Sequence, residues 1–302
     1  MKKMVIAAGT GFLGTVLIDF FKESYQEILV LTRGKSQHKN KIQFVHWNAK
    51  SLTGWESALE NADVLINLAG KSVDCRYTPD NKAAILSSRI DSTRVLNEAV
   101  LKCKNPPKHF INSSTATIYR HSEDKQMDEY SDEIGDDFSM NIAKSWEQTF
   151  YDVETHKTLK TAVRTSIVLG KKGGAFIPLK RLTQFGLGGK VGNGNQFVSW
   201  IHELDFARAI AFIIDKKLTG NINVVSPKPE RNVDFMDKLR QAVRIPFGIP
   251  ISKPMLKIGA KIIQTESELV LKSRNVVPKR LTENGFTFEY HDQEKAFKNL
   301  LS

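Results

Sequence analysis

The sequence predicts an α/β protein with a doubly wound parallel sheet and a smaller C-terminal lobe. Two observations carry that class. Short β-branched runs alternate with longer amphipathic ones through the first half of the chain, the alternation that builds a sheet with helices on both faces. The short runs are also apolar almost throughout, as strands buried on both faces are.

Taken in order, residues 5–8, 28–32, 42–47, 64–68 and 110–113 read as strands, and residues 12–23, 81–102 and 138–154 as helices. The second helix carries Ile85, Leu86, Ile90, Leu96 and Val100 at helical spacing. Residues 162–169 read as a sixth strand, 170–195 as a glycine-rich mobile loop, 202–215 as a helix and 221–225 as a strand returning to the sheet. From Pro227 the pattern changes to a small lobe. It has a helix at 232–243, a proline-marked stretch at 245–254 and a helix at 255–273. The expected organisation is a nucleotide-binding core at 1–170, with 198–226 returning to it. A substrate-side lobe is expected from 171–197 and 227–302. No internal repeat or low-complexity tract interrupts this.

Bulk properties fit such a protein. The 302 residues are 41% hydrophobic and 25% charged, enough for one large α/β domain with a real core. No apolar run reaches the length of a membrane span. The opening lysines and apolar residues resemble a leader, but Gly9, Gly11 and Gly14 interrupt the run, so it reads as a first strand and turn, and a cytoplasmic location is expected. Cys75 and Cys103 lack metal-ligand spacing and are expected as reduced thiols, and no metal is expected. The net charge of +11 comes from scattered lysines without interleaved aromatics. That describes a solvated surface, and neither a nucleic-acid nor a membrane partner is expected.

The strongest local signal is Gly9-Thr10-Gly11-Phe12-Leu13-Gly14, which follows a strand and opens a helix. Gly9 allows the tight turn, Gly11 lets the backbone approach a pyrophosphate, and Gly14 lets the helix pack closely on the strand. The helix N-terminus offers free N–H groups to the phosphates. The end of the second strand should choose between dinucleotides. An acid there binds a ribose 2′-hydroxyl, but this chain has Thr32 and Arg33. An arginine fork suits a 2′-phosphate, so NADP(H) is expected, unless Arg33 is only a surface residue. Asn67-Leu68-Ala69-Gly70 ends the fourth strand with small residues that let the backbone lie against a ribose. Asp63 either touches the adenine or caps a turn, the turn being the preferred role.

These residues together resemble an extended short-chain dehydrogenase/reductase. The resemblance rests on A-A-G-T-G-F-L-G, N-L-A-G, and a serine-rich strand end before Tyr119. The segments V-R-T-S-I-V-L-G at 163–170, G-L-G-G at 186–189, F-V-S-W-I-H-E-L-D at 197–205 and V-P-K-R-L-T-E-N-G-F at 277–286 are similar to the atypical, SDR39U1-like subgroup of epimerase-family proteins. The resemblance implies a Rossmann core with bound NADP(H) and a small C-terminal lobe over the nicotinamide end. It places Gly9 to Leu13, Thr32, Arg33, Leu68, Ala69 and Arg89 near the cofactor. Two departures stand out: relatives have Thr-Gly where this chain has Ala7 and Ala8, and a glycine where it has Arg120.

The superfamily's Tyr-x-x-x-Lys pair is missing. None of the six tyrosines is followed four residues later by lysine. Counted back from Glu147, the two positions fall on Ser139 and Ala143, and Lys144 points to another face. The atypical subgroup lacks the pair as well. The substrate-binding hydroxyl can survive at the fifth strand's end, where Ser114 or Thr115 matches best; the alternative is that these hydroxyls satisfy loop backbone. Tyr119 can reach the same site and is a third candidate. His202 can titrate near neutrality, but reads as structural. Ser199, His202 and Asp205 lack the G-x-S-x-G turn of a hydrolytic triad, and Asp205 reads as a helix start.

The leading expectation is an NADP(H)-dependent oxidoreductase or epimerase-like enzyme acting on a small, sugar-like substrate. Against it stand a non-catalytic NADP(H)-binding sensor and, third, a nucleic-acid binder whose binding would be salt-sensitive. Relatives pair through long helices, so a homodimer is one expectation for the assembly.

Overall fold

A computed structural model describes residues 2–302 except Asn40, Ile263 and Thr265. The chain begins with β1 (Lys3–Ala7), α1 (Phe12–Phe21), β2 (Glu27–Thr32), a short β3 (Gln37–Lys39), β4 (Ile42–His46) and β5 (Val64–Asn67). Next come α2 (Pro79–Lys102), β6 (His109–Thr115), α3 (Phe138–Tyr151) and β7 (Leu159–Thr165). Among the described residues one sheet has eight strands in the order β11-β7-β6-β5-β1-β2-β4-β3, where β11 is Gly220–Val224. Every neighbouring pair is parallel except β3 against β4. The run β4-β2-β1-β5-β6-β7 is the order of a dinucleotide-binding sheet, whose order reverses between β1 and β5.

The apolar strands sort their side chains by period two. Met4, Ile6, Ile28, Val30, Val64 and Ile66 pack on one face, with Leu17 and Phe21 of α1 and with Phe206, Ile210 and Ile213 of α5 (Glu203–Asp215). Val5, Leu29, Leu31 and Leu65 pack on the other, with Val95, Leu96 and Val100 of α2 and Phe150 of α3. The chain therefore leaves β1 toward one face and β5 toward the other. The resulting crevice at the strands' carboxyl ends is where ligands of open α/β sheets bind.

The remaining elements are β8 (Ile167–Leu169), α4 (Phe176–Leu182), β9 (Phe197–Val198), β10 (Trp200–His202), β12 (Glu230–Arg231), α6 (Asn232–Val243), α7 (Lys253–Ile262), α8 (Glu268–Leu271), α9 (Lys279–Glu283) and α10 (Gln293–Leu301). A separate cluster of Phe176, Trp200, Phe235, Leu239 and Phe297 joins α4, β10, α6 and α10.

Three readings change. Residues 170–195 are not all loop: they hold α4 and a wide helical turn, Thr183–Leu187. Their glycines serve close contacts. A Cβ on Gly170, Gly173 or Gly174 would strike the Phe12 ring, and one on Gly189 would sit 2.3 Å from the Ile249 carbonyl oxygen. The strand expected at 162–169 is two strands in two sheets, β7 and β8. The helix expected at 255–273 is two, α7 and α8, and Ile263 and Thr265 within it lie outside the described residues. No helix among the described residues is long and apolar enough to cross a membrane, and Cys75 and Cys103 are unpaired.

Candidate functional site

The glycine turn sits at the carboxyl end of β1, inside the crevice. A Cβ on Gly14 would lie 2.2 Å from the Gly9 carbonyl oxygen, and one on Gly9 would lie 2.9 Å from the Ile6 Cγ2. Both are glycine because the strand and helix touch there. Gly11 differs: a Cβ would meet nothing within 4 Å. Its missing side chain leaves open space at the start of α1, and no side chain caps that helix. The uncapped first-turn N–H groups and the helix dipole suit phosphate oxygens, so the residues present fit a dinucleotide pyrophosphate. Thr10 is exposed at the tip of the turn. Phe12 contributes backbone only, since its ring is wedged among Gly170, Gly173 and Gly174. Ala8, where relatives have glycine, takes a left-handed φ of 58° and donates its N–H to the Leu31 carbonyl at 2.8 Å.

At the end of β2 the Thr32 side chain turns inward and accepts the Gly34 N–H at 3.1 Å. Arg33 is exposed and has no ion pair among the described residues. Asp63 accepts the Lys3 N–H at 2.8 Å and the Lys108 ammonium at 2.7 Å, which makes it a structural clamp on β1.

The end of β5 is held by a buried polar chain. Asn67 accepts the Ala69 N–H at 3.0 Å and donates to Asn112 at 2.7 Å. Thr93, beside them, receives the Trp146 indole N–H at 2.9 Å. Leu68 donates its N–H to the Ala7 carbonyl, so Leu68 and Ala69 border the glycine turn. Gly70 makes room for Arg89: a Cβ there would lie 3.1 Å from the guanidinium carbon. Arg89 donates to the carbonyls of Lys71 and Ile85 at 3.0 and 2.9 Å and lies over the Trp146 ring. Burial pulls its guanidinium down to about 10, and no carboxylate pairs with it among the described residues. A half-buried cation without an acid leaves charge for an anion to answer.

The three hydroxyls proposed from sequence part company. Ser114 is buried and donates a hydrogen bond to Glu147 at 2.5 Å. Tyr119 is fully buried, donates to Asn223 at 3.0 Å and accepts from Arg164 at 2.9 Å. In this structure both hydroxyl protons are committed to partners inside the fold, so neither is free to donate to a substrate. Burial holds the Tyr119 phenol above its ordinary range despite the Arg164 charge beside it. Thr115 is only half-buried and shares its hydroxyl with Thr117 at 2.7 Å. The organising group is a buried pair: Arg164 meets Glu147 with two bonds, 2.8 and 2.7 Å. The signal for this network was a lone arginine in an otherwise buried strand run, and the sequence reading passed over it.

The remaining motif residues are likewise engaged within the fold. Arg280 of the P-K-R-L segment donates to the carbonyls of Thr219 and Asn221 and so ties the C-terminal segment to the sheet edge. His202 stacks on Tyr290, accepts the Leu204 N–H and meets Asn299, and it, rather than Asp205, caps α5. Asp205 is buried and binds the N–H groups of Glu289 and Tyr290. Ser199 bonds the backbone of Arg274 and Val276, so no triad forms. Where the superfamily has its catalytic pair, Ser139 donates to Glu268 at 3.0 Å, and Ala143 lies in an apolar cluster with Ile118, Met127 and Val276.

A family model described as the NAD dependent epimerase/dehydratase family matches residues 4–225. The chain belongs to that family. A second model, a domain of unknown function termed DUF1731, matches residues 251–300. This epimerase-family chain is 33% identical over 305 residues to the epimerase family protein SAR0825 of Staphylococcus aureus, covering 100% of both. It is 32% identical to SH2119 of Staphylococcus haemolyticus, covering 100% of this chain and 99% of that one. Among solved structures it superimposes on the human epimerase family protein SDR39U1, solved with NADPH, with a TM-score of 0.88 at 25% identity, covering 99% and 98% of the two chains. It also matches a nucleoside-diphosphate sugar epimerase of Corynebacterium glutamicum at TM-score 0.79 and 28% identity, covering 99% of this chain and 58% of that one. The extended short-chain dehydrogenase/reductase architecture expected from the motifs is thus the architecture of the chain.

Proposed function

We propose that this epimerase-family chain binds NADP(H) in preference to NAD(H) and works as an oxidoreductase or epimerase-like enzyme on a small, sugar-like substrate bearing a carbonyl or hydroxyl group. The observation that carries the cofactor choice is Arg33. It stands exposed at the end of β2, with no acid paired to it among the described residues, where an NAD site would place a carboxylate. That the SDR39U1 structure was solved with NADPH supports the same choice. Bound there, the cofactor supplies or accepts a hydride at its nicotinamide ring. The uncapped start of α1 and Gly11 would hold the pyrophosphate, Thr32 and Arg33 the adenosine ribose and its 2′-phosphate, and Leu68, Ala69 and Gly70 the backbone wall beside them. Arg89 would bring a second positive charge to that wall. Thr115, half-buried and bonded through its hydroxyl to the hydroxyl and N–H of Thr117, would be the β6-end hydroxyl that exchanges those local bonds for a substrate.

A second reading has its own observation. Ser139 and Ala143 stand where the superfamily's tyrosine and lysine stand, and Ala143 is sealed in an apolar cluster. That favours a non-catalytic NADP(H) sensor, which would bind NADPH tightly without oxidising it in the presence of any carbonyl compound in a broad panel.

Titration calorimetry with NADPH and with NADH, on the wild type and on Arg33→Ala, tests the cofactor reading. Charge-assisted hydrogen bonds contribute ~1.5–3 kcal/mol, so the wild type should prefer NADPH about tenfold or more and the variant should lose that preference. Equal affinities in the wild type would remove the preference for NADP(H) and the role of Arg33, and no binding of either would leave the glycine turn purely structural.

A further inference from the structure

The superfamily's tyrosine is gone from α3, yet a phenol stands beside its position. It is Tyr77, on the loop between Gly70 and α2. Its ring meets Phe138, the residue before Ser139, edge-on with centroids 5.0 Å apart. Its hydroxyl is buried and makes no hydrogen bond of normal geometry among the described residues, although the Ser139 hydroxyl acts on it. A buried donor without an acceptor costs ~1–3 kcal/mol. It is one of several such atoms among the described residues, and the one that stands beside the position of the missing tyrosine, where a role in the chemistry is one explanation for an unpartnered group.

The surroundings hold this phenol in place. Glu266 accepts the Tyr77 N–H at 2.8 Å and pairs with Arg76 at 3.1 Å. Ser139 donates to Glu268, and Lys272 bridges Glu268 and Asp137. Residues of the C-terminal segment therefore fix both the loop that carries Tyr77 and the serine beside it. Arg89 on the cofactor side and Arg274 on the lobe side both lie within electrostatic reach of the phenol, and the Arg274 Nε likewise lacks a partner. Cys75, on the same loop, also acts on it, as do Glu266 and Glu268.

We propose that Tyr77 supplies, from a different element, the phenol hydroxyl that α3 lacks, donating to the substrate's carbonyl or hydroxyl oxygen, with Ser139 as the residue that positions it. This inference rests on the nucleotide reading above and adds a catalytic group to it. Burial pushes the phenol up to about 12, with the Ser139 hydroxyl pulling against it and the Glu268 charge adding to it, so Tyr77 carries its proton at neutral pH. As negative charge develops on the substrate oxygen, the Tyr77 O–H bond breaks and an O–H bond forms at that oxygen. Water then reprotonates the phenolate.

The test needs no substrate. The full chain, carbon-13 labelled at the tyrosine ring Cζ, is titrated by NMR with saturating NADP+ and separately with NADPH, across the pH range in which circular dichroism shows it folded. The oxidised nicotinamide ring is cationic and the reduced ring neutral. A phenol at the nicotinamide end should therefore fall by about one unit or more with NADP+ relative to NADPH. We expect one of the six tyrosines to respond in this way. Tyr77→Phe should remove the response while binding both nucleotides as the wild type does, Tyr119→Phe should leave it, and Ser139→Ala should raise the responding phenol. If both nucleotides bind and no phenol responds, or if the response survives in Tyr77→Phe, the role of Tyr77 is overturned and the cofactor reading stands. If the wild type binds neither nucleotide, the cofactor reading fails first and the role of Tyr77 fails with it.

Discussion

Glu147→Gln probes the buried network most directly. Glu147 and Arg164 have side chains only 9% and 7% exposed, and the carboxylate takes two bonds from the guanidinium and one from Ser114. The amide cannot answer the positive charge, so Arg164 is left as a buried cation. Breaking such a pair by removing one partner costs ~3–5 kcal/mol. With an unfolding entropy of ~2.1 cal/mol/K per residue, a chain of 302 residues loses about 1.6 °C of Tm per kcal/mol. The variant should therefore melt about 5–8 °C lower by differential scanning calorimetry at neutral pH. Replacing both members, Glu147→Met with Arg164→Met, should recover at least half of the loss, because no charge is then stranded. A loss below about 2 °C for Glu147→Gln would show that water reaches Arg164, and the buried-pair account would be wrong.

Two further perturbations have worked signs. Ala8 holds a φ of 58°, which costs an L-residue ~1–2 kcal/mol, while glycine gives back ~0.5–1 kcal/mol through its unfolded-state freedom. Ala8→Gly should thus stabilise the chain by up to ~1.5 kcal/mol in a urea melt, and a destabilised variant would mean the turn is not left-handed. His109 and His202 are both held down to about 4 by burial, the latter against the pull of Asp205. Below the ordinary value of 6.5 the unfolded chain binds protons that the folded chain refuses, so stability should fall as pH drops from about 6.5 to 4. The size is on the order of 3 kcal/mol for each histidine. Urea midpoints at neutral and mildly acidic pH check this, and a flat profile would refute the account of both as buried neutral rings.

Much of the fold was legible because it depends on near neighbours. Apolar runs bounded by polar turns identify β1, β2 and β5, since both faces of each strand are buried whatever the rest of the chain does; β4, nearer the sheet edge, is half-exposed. The glycine turn was legible for the same reason: Gly9 and Gly14 touch each other across a few residues. Residues 170–195 were misread because their glycines answer distant partners, Phe12 at the N-terminus and Ile249 in the lobe, and no local pattern records them.

The divide runs through the candidate site. By itself the sequence determined the crevice, the turn and the absence of an acid after β2, since each follows from residue type at a fixed place in one βαβ unit. Only the tertiary structure decided which hydroxyls are free. Ser114 and Tyr119 are consumed by Glu147, Arg164 and Asn223, which arrive from α3, β7 and β11, while the unpartnered phenol of Tyr77 is carried to Phe138 and Ser139 by a loop far from both in sequence. A hydrogen bond is made in space, and its availability can be counted only when every strand that supplies a partner is in place.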